Sequence, residues 1–150
     1  MSIITSPKNS LIRFLLYAWA APASAIGCCI AVFALCLGAT WRIVYGVVEV
    51  GGGRFASLVL LLPSAIRFNA ITLGHIVLGL NHTVLETHRV HEYAHVRQYE
   101  RWGMFFFPLY IGSSFVQLLR GRDPHRNNYF EREAYLNAAS ATIMTNTYNR

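Results

Sequence analysis

Charge is scarce in this chain: Asp, Glu, Lys and Arg together make up 13% of its 150 residues, about half the share of an average soluble domain. Hydrophobic residues reach 54%, and the shortage of charge points to lipid as part of the surroundings. Lysine is nearly absent, Lys8 being the single one, so the formal net charge of +6 comes from scattered arginines. A dense basic stripe with interleaved aromatics is missing, which argues against a nucleic-acid partner. Cysteine is limited to Cys28, Cys29 and Cys36, all inside the most apolar stretch and without Cys-x-x-Cys spacing. Neither a disulfide framework nor a thiolate zinc site is expected from them. Internal repeats and low-complexity segments are lacking too, and the length suits one compact domain, or a smaller one plus a membrane segment.

What is present begins with an apolar run. From Leu11 to Thr40 the only charge is Arg13, and this length exceeds the roughly 20 residues needed to span a bilayer. A transmembrane helix is expected, with Pro22 and Gly27 placing the spanning part after Pro22 and Leu11–Ala21 in the interface. A secretory leader cut at Ala23-Ser24-Ala25 is the competing reading, but the apolar run continues well past that site. Lys8 and Arg13 at one end balance Arg42 and Arg54 at the other, so the positive-inside rule leaves the orientation open.

Downstream, Trp41–Val50 is rich in β-branched and aromatic residues and reads as one strand closed by Gly51-Gly52-Gly53. Phe55–Ile66 reads as a buried or interface-lying segment ended by Pro63. Ala70–Leu80 alternates as a second strand, with Ile71, Leu73, His75 and Val77 on one face, and Thr83–Thr87 returns as a third. Arg89–Trp102 reads as a helix ended by Gly103. Phe105–Leu119 is either a broken helix in the core or a segment dipping into the headgroup region. A last helix runs from Asn127 to about Met144, with Asn127 or Asn128 as its N-cap. The expected fold is α+β: residues 1–40 as a membrane anchor, and residues 41–150 as a domain with a small antiparallel sheet, a metal-bearing helix, a hydrophobic connector and a C-terminal helix.

The chemistry lies in His91-Glu92-Tyr93-Ala94-His95. Residues four apart on a helix project from the same face, so His91 and His95 can present two imidazole nitrogens to one ion. Glu92 is placed to take a proton from water activated by that ion. A catalytic zinc takes three protein ligands, and the downstream candidates for the third are Asp123, His125, Glu131 and Glu133. His125, Tyr110 and Tyr129 are candidates for donating a proton or steadying an oxyanion. His75 reads as a hydrogen-bonded core histidine, and His82 and His88 as turn and surface residues.

HEYAHVRQYERWG followed by NNYFEREAY resembles the zincin metallopeptidases, nearest to their glutamate-ligand branch, the gluzincins, over roughly residues 70–138. More narrowly it is similar to a group of small bacterial membrane proteins. The resemblance implies Zn2+ as cofactor, His91 and His95 as ligands, Glu92 as base and Glu131 as third ligand. It further implies a peptide or protein substrate, contact with membrane lipid, and the bacterial inner membrane as location. A substrate pairing along the strand just before the metal helix is also implied, and Ala70–Leu80 holds that place. Membrane-embedded prenyl-protein peptidases carry an Asp four residues after the ligand Glu; here Tyr135 stands there. Helical geometry favours Glu131 over Glu133 as well, since residues two apart lie about 200° apart around a helix and only one is expected to face the metal helix. The rival reading is a non-catalytic membrane protein with a structural metal, or none, serving as a partner or assembly factor.

Overall fold

A computed structural model describes residues 10–64 and 66–148, the side chains of 141–148 aside. Lys8 lies outside the described residues. The fold is mixed α and β, with helices on both faces of a small sheet. Helix α1 (Ser10–Cys36) is followed by strands β1 (Thr40–Val44) and β2 (Val47–Gly51) and helix α2 (Gly53–Leu61). Strands β3 (Ala70–Leu73) and β4 (Ile76–Gly79) come next. They lead into α3 (His82–Trp102), a 3₁₀ turn (Gly103–Phe105), α4 (Phe106–Leu119) and α5 (Tyr129–Tyr148).

Each of the two expected strands is in fact a hairpin. Tyr45 and Gly46 take φ of 50° and 84°, the pair of left-handed residues that a type I′ two-residue turn demands, and they fold β1 back onto β2. Gly74 has φ 63° and opens the turn between β3 and β4, where a Cβ would collide with Ser24. That turn resets the alternation, so Leu73 pairs with Ile76 and Thr72 with Val77. The expected face of Ile71, Leu73, His75 and Val77 therefore does not exist.

Strand order is β1-β2-β4-β3, with β2 and β4 parallel. This corrects the expected antiparallel sheet: α2 carries the chain across, which a parallel pair requires. Thr83–Thr87 is not a strand either. The Asn81 side chain accepts from the Val84 amide at 2.8 Å and starts α3 there, seven residues before the expected helix. Gly103 ends it, as expected. The connector is a continuous helix: Pro108 sits in the first turn of α4, where a missing amide hydrogen costs no helix bond. The Asn128 side chain accepts from the Phe130 amide at 2.9 Å and caps α5.

One sheet face packs on α1 and α2 through Ala31, Ala34, Val50, Phe55, Val59, Ile76 and Leu78. The other packs on α3 through Val47, Val77, Leu85, Tyr93 and Val96. Helix α1 is long and apolar enough to cross a membrane, as is the continuous stretch His82–Leu119, whose apolar part is α4. Helix α1 is nevertheless built into the fold. Gly27 lies so close to the sheet that a Cβ would stand 2.8 Å from Ile76 Cβ and 2.9 Å from the Leu73 carbonyl. Gly27→Val is accordingly expected to destabilise the chain by about 1–3 kcal/mol, the range for overpacking, seen as a lower unfolding midpoint in detergent.

Candidate metal centre

Three side chains from two helices converge. On α3, His91 and His95 lie one turn apart with their Nε2 atoms 3.2 Å from each other. From α5, Glu131 reaches in, its Oε2 3.2 Å from His91 Nε2 and its Oε1 3.3 Å from His95 Nε2. Ligands at the usual 2.0–2.1 Å around a tetrahedral ion stand about 3.3–3.4 Å apart, a spacing that the two imidazole nitrogens have, and taken with one oxygen of Glu131 the three ligand atoms lie within 4.8 Å of one another. Glu131 is buried, and among the described residues its Oε2 has no hydrogen-bond partner beyond its 3.2 Å contact with His91 Nε2. This cluster can hold a metal ion.

The tautomer of His95 follows from its neighbour. Gln98 donates through Nε2 to the Phe130 carbonyl at 3.0 Å and to Glu133 Oε2 at 2.8 Å, two groups that only accept. Its amide orientation is thereby fixed, and Oε1 faces His95 Nδ1 at 2.8 Å. Nδ1 must carry the hydrogen, so neutral His95 keeps its lone pair on Nε2, toward the cluster. His91 has no equivalent: its buried Nδ1 has no partner among the described residues, and the Tyr135 ring lies 4.7 Å away, centroid to centroid. The residue that departs from the prenyl-peptidase pattern thus packs on the histidine left without a hydrogen-bonded support.

The imidazoles and the carboxylate shift one another's titration. Burial alone would raise the Glu131 carboxyl, but His91, His95 and the Tyr110 hydroxyl outweigh it and hold it far below the ordinary range. Burial alone would lower His95, yet Glu131 and Glu92 raise it above the ordinary histidine value. An imidazole proton and a divalent cation would compete for the same place, so any metal uptake would be coupled to the protonation of His95.

Glu92, one position after His91, is buried against the sheet. Its Oε2 accepts from Thr72 Oγ1 at 2.7 Å, and the same hydroxyl lies 3.2 Å from its backbone carbonyl. Thr72 belongs to β3, an edge strand of the sheet. Sequence reasoning missed Thr72, because the hairpin that turns it toward α3 was not legible.

Of the other expected residues, Tyr110 and His125 come to the cluster. The Tyr110 hydroxyl donates to Glu131 Oε1 at 2.7 Å and lies 3.2 Å from His125 Nδ1. His125 is exposed and stands 3.6 Å from the same carboxylate. Tyr129 is not brought in: it is 62% exposed and packs edge-on against Phe130. Asp123 caps its own loop, Oδ1 accepting from the His125 and Arg126 amides at 2.8 and 2.7 Å, and those bonds hold its carboxyl below the ordinary value. Glu133 also touches α3, through Gln98 and an ion pair with Arg101 at 3.1 Å. The expectation that only one of the two carboxylates faces the metal helix is corrected: both do, Glu131 at the histidines and Glu133 farther along. His75 is buried, with Nε2 3.2 Å from Glu100, but it sits in a turn and not within a strand.

Compared with family models, with curated proteins and with solved structures, the chain finds no match in any of the three.

Proposed function

We propose that this chain is a membrane-anchored, zinc-dependent metallohydrolase acting on peptide bonds. The observation that supports the reading is the position of Glu131: from 36 residues beyond His95 it joins His91 and His95 in one cluster able to hold an ion, beside a buried carboxylate, Glu92, that is not itself part of the cluster. Three ligands leave a fourth position for water or substrate, which is the pattern of catalytic and not of structural zinc. Zinc, when bound, polarises the scissile carbonyl and makes water acidic enough to lose a proton near neutral pH.

The chain's own residues do the remainder. Glu92 takes the proton from the attacking water and delivers it to the departing amine nitrogen, so carboxylate and carboxylic acid alternate within one turnover. Thr72 keeps one oxygen of Glu92 in place. His125, exposed at the rim and near Glu131, donates to the developing oxyanion; the Tyr110 hydroxyl is occupied with Glu131. An extended peptide pairing on the open edge of β3 would run alongside Thr72 and so past Glu92.

Metal analysis of protein purified without added metal tests the reading directly, and zinc absent with none taken up on addition would overturn it. Glu131→Gln is expected to weaken zinc affinity at least tenfold, while Glu133→Gln leaves it nearly unchanged. A metal-competition titration with the ranking reversed would move the third ligand to Glu133.

A further inference from the structure

Helix α4 is turned inside out relative to a helix of a water-soluble protein. Its polar residues Tyr110, Ser113, Ser114 and Gln117 recur at helical spacing and share one face. That face is turned to the protein. Ser113 Oγ accepts from the Tyr129 amide at 3.0 Å, Ser114 Oγ accepts from Asn128 Nδ2 at 2.7 Å, and Tyr110 donates to Glu131. On the outer side Phe107, Ile111, Phe115 and Leu118 are each more than half exposed. In water such a contiguous apolar face would be a liability.

Two further observations say what covers it. The stretch Trp102–Leu119 carries no charge over 18 residues, and it is bracketed by Arg101 and by Arg120 and Arg122. The last two are exposed and make no ion pair among the described residues. The stretch is also continuous with a helix able to span a bilayer: Gly103 abuts the Trp19 indole, and Phe106 packs in one cluster with Ala20. We propose that α4 is embedded in the bilayer beside α1, its Phe107, Ile111, Phe115 and Leu118 face against acyl chains and Arg120 and Arg122 at anionic headgroups. At 1.5 Å per residue its 14 residues rise about 21 Å, short of the roughly 30 Å hydrocarbon core, so α4 does not cross it. Because Tyr110 joins α4 to Glu131, the metal centre then lies at the membrane boundary. This holds whether or not the centre hydrolyses anything.

The unmodified full chain, reconstituted in vesicles of mixed anionic and zwitterionic phospholipid with a photoactivatable group on the acyl chain, tests the proposal without reference to metal or activity. Mass-spectrometric mapping is expected to find the label in the 102–119 peptide as well as in α1. Label confined to α1, with water-soluble reagents modifying 102–119, would overturn it. So would protection of that peptide from both reagents with chain-to-chain crosslinks through it, which would make a second copy the cover. Arg120→Glu combined with Arg122→Glu is expected to lower acyl-chain labelling of 102–119 severalfold and leave α1 labelling unchanged. Equal labelling of 102–119 in the double variant would overturn the role given to the arginines.

Discussion

Glu92→Gln is expected to leave zinc content unchanged and to lower peptide hydrolysis by about 10²–10⁴-fold, the range that a positioned general base contributes. The substitution preserves shape. Glutamine still offers an oxygen to the Thr72 hydroxyl that now meets Glu92 Oε2 at 2.7 Å, so the packing of α3 on β3 survives. What is lost is the basic oxygen, because an amide cannot take a proton from water at neutral pH. The ligands are untouched, since Glu92 stands outside the set formed by His91, His95 and Glu131. Metal content and turnover therefore separate in this one variant. The paired measurement is zinc per chain by elemental analysis and turnover of a peptide that the wild-type chain cuts. Loss of zinc from the variant would mean that Glu92 is itself a ligand, and undiminished turnover would remove it from the chemistry. A wild-type chain that holds zinc and cuts no peptide would favour the structural-metal reading.

That His91, His95 and Glu131 come together was legible because the signals are local. His91 and His95 are one helical turn apart, and Glu131 stands early in a helix that its own cap residue announces. The rest depended on distant partners. Tyr45-Gly46 and Gly74-His75 lack the Asn-Gly or Asp-Gly dipeptides that mark tight hairpins, so each hairpin read as a single strand, and the register of Thr72 was lost with it. The β-branched residues of Thr83–Thr87 spoke for a strand, and the capping side chain of Asn81, two residues earlier, outweighed them. The parallel pairing of β2 with β4 follows from how α2 packs on the sheet, a tertiary fact that no short window contains. The amide of Gln98 shares the histidine face by spacing alone, but its role in fixing the His95 tautomer needed Phe130 and Glu133, more than thirty residues away.

Glu49 shows the same limit most sharply, and it carries the largest expected stability effect. In the run Val47–Gly51 it has the place of a solvent-facing residue on an alternating strand, yet it is 1% exposed. Arg42 from β1 donates to its Oε2 at 2.8 Å, and Arg89 from α3 donates to Oε1 at 2.8 Å and to Oε2 at 3.2 Å. The hydroxyl of Tyr93, between His91 and His95, donates to the Val44 carbonyl at 2.8 Å and lies 3.1 Å from Glu49 Oε1. One carboxylate thus ties the first hairpin to the helix that carries His91 and His95. Removing one partner of a buried pair costs about 3–5 kcal/mol, and because both arginines are partly exposed and can turn to water, Glu49→Gln is expected near 3 kcal/mol. The unfolding midpoint in detergent should fall accordingly, with weaker zinc affinity as a secondary effect of a less rigid α3. The acid side gives an independent check. Burial alone would raise the Glu49 carboxyl, but the hydrogen bonds and charges of Arg89 and Arg42 outweigh it and hold it below the ordinary 4.5. A carboxylate with a depressed folded value binds fewer protons in the native state than in the unfolded one. Its contribution is complete above about pH 4.5 and is lost as pH falls through the folded value. Wild-type stability should therefore drop steeply below about pH 4.5, and Glu49→Gln, already without that contribution, should show a shallower drop over the same interval. Parallel acid profiles for the two proteins would mean that the carboxylate is not what holds the hairpin to α3.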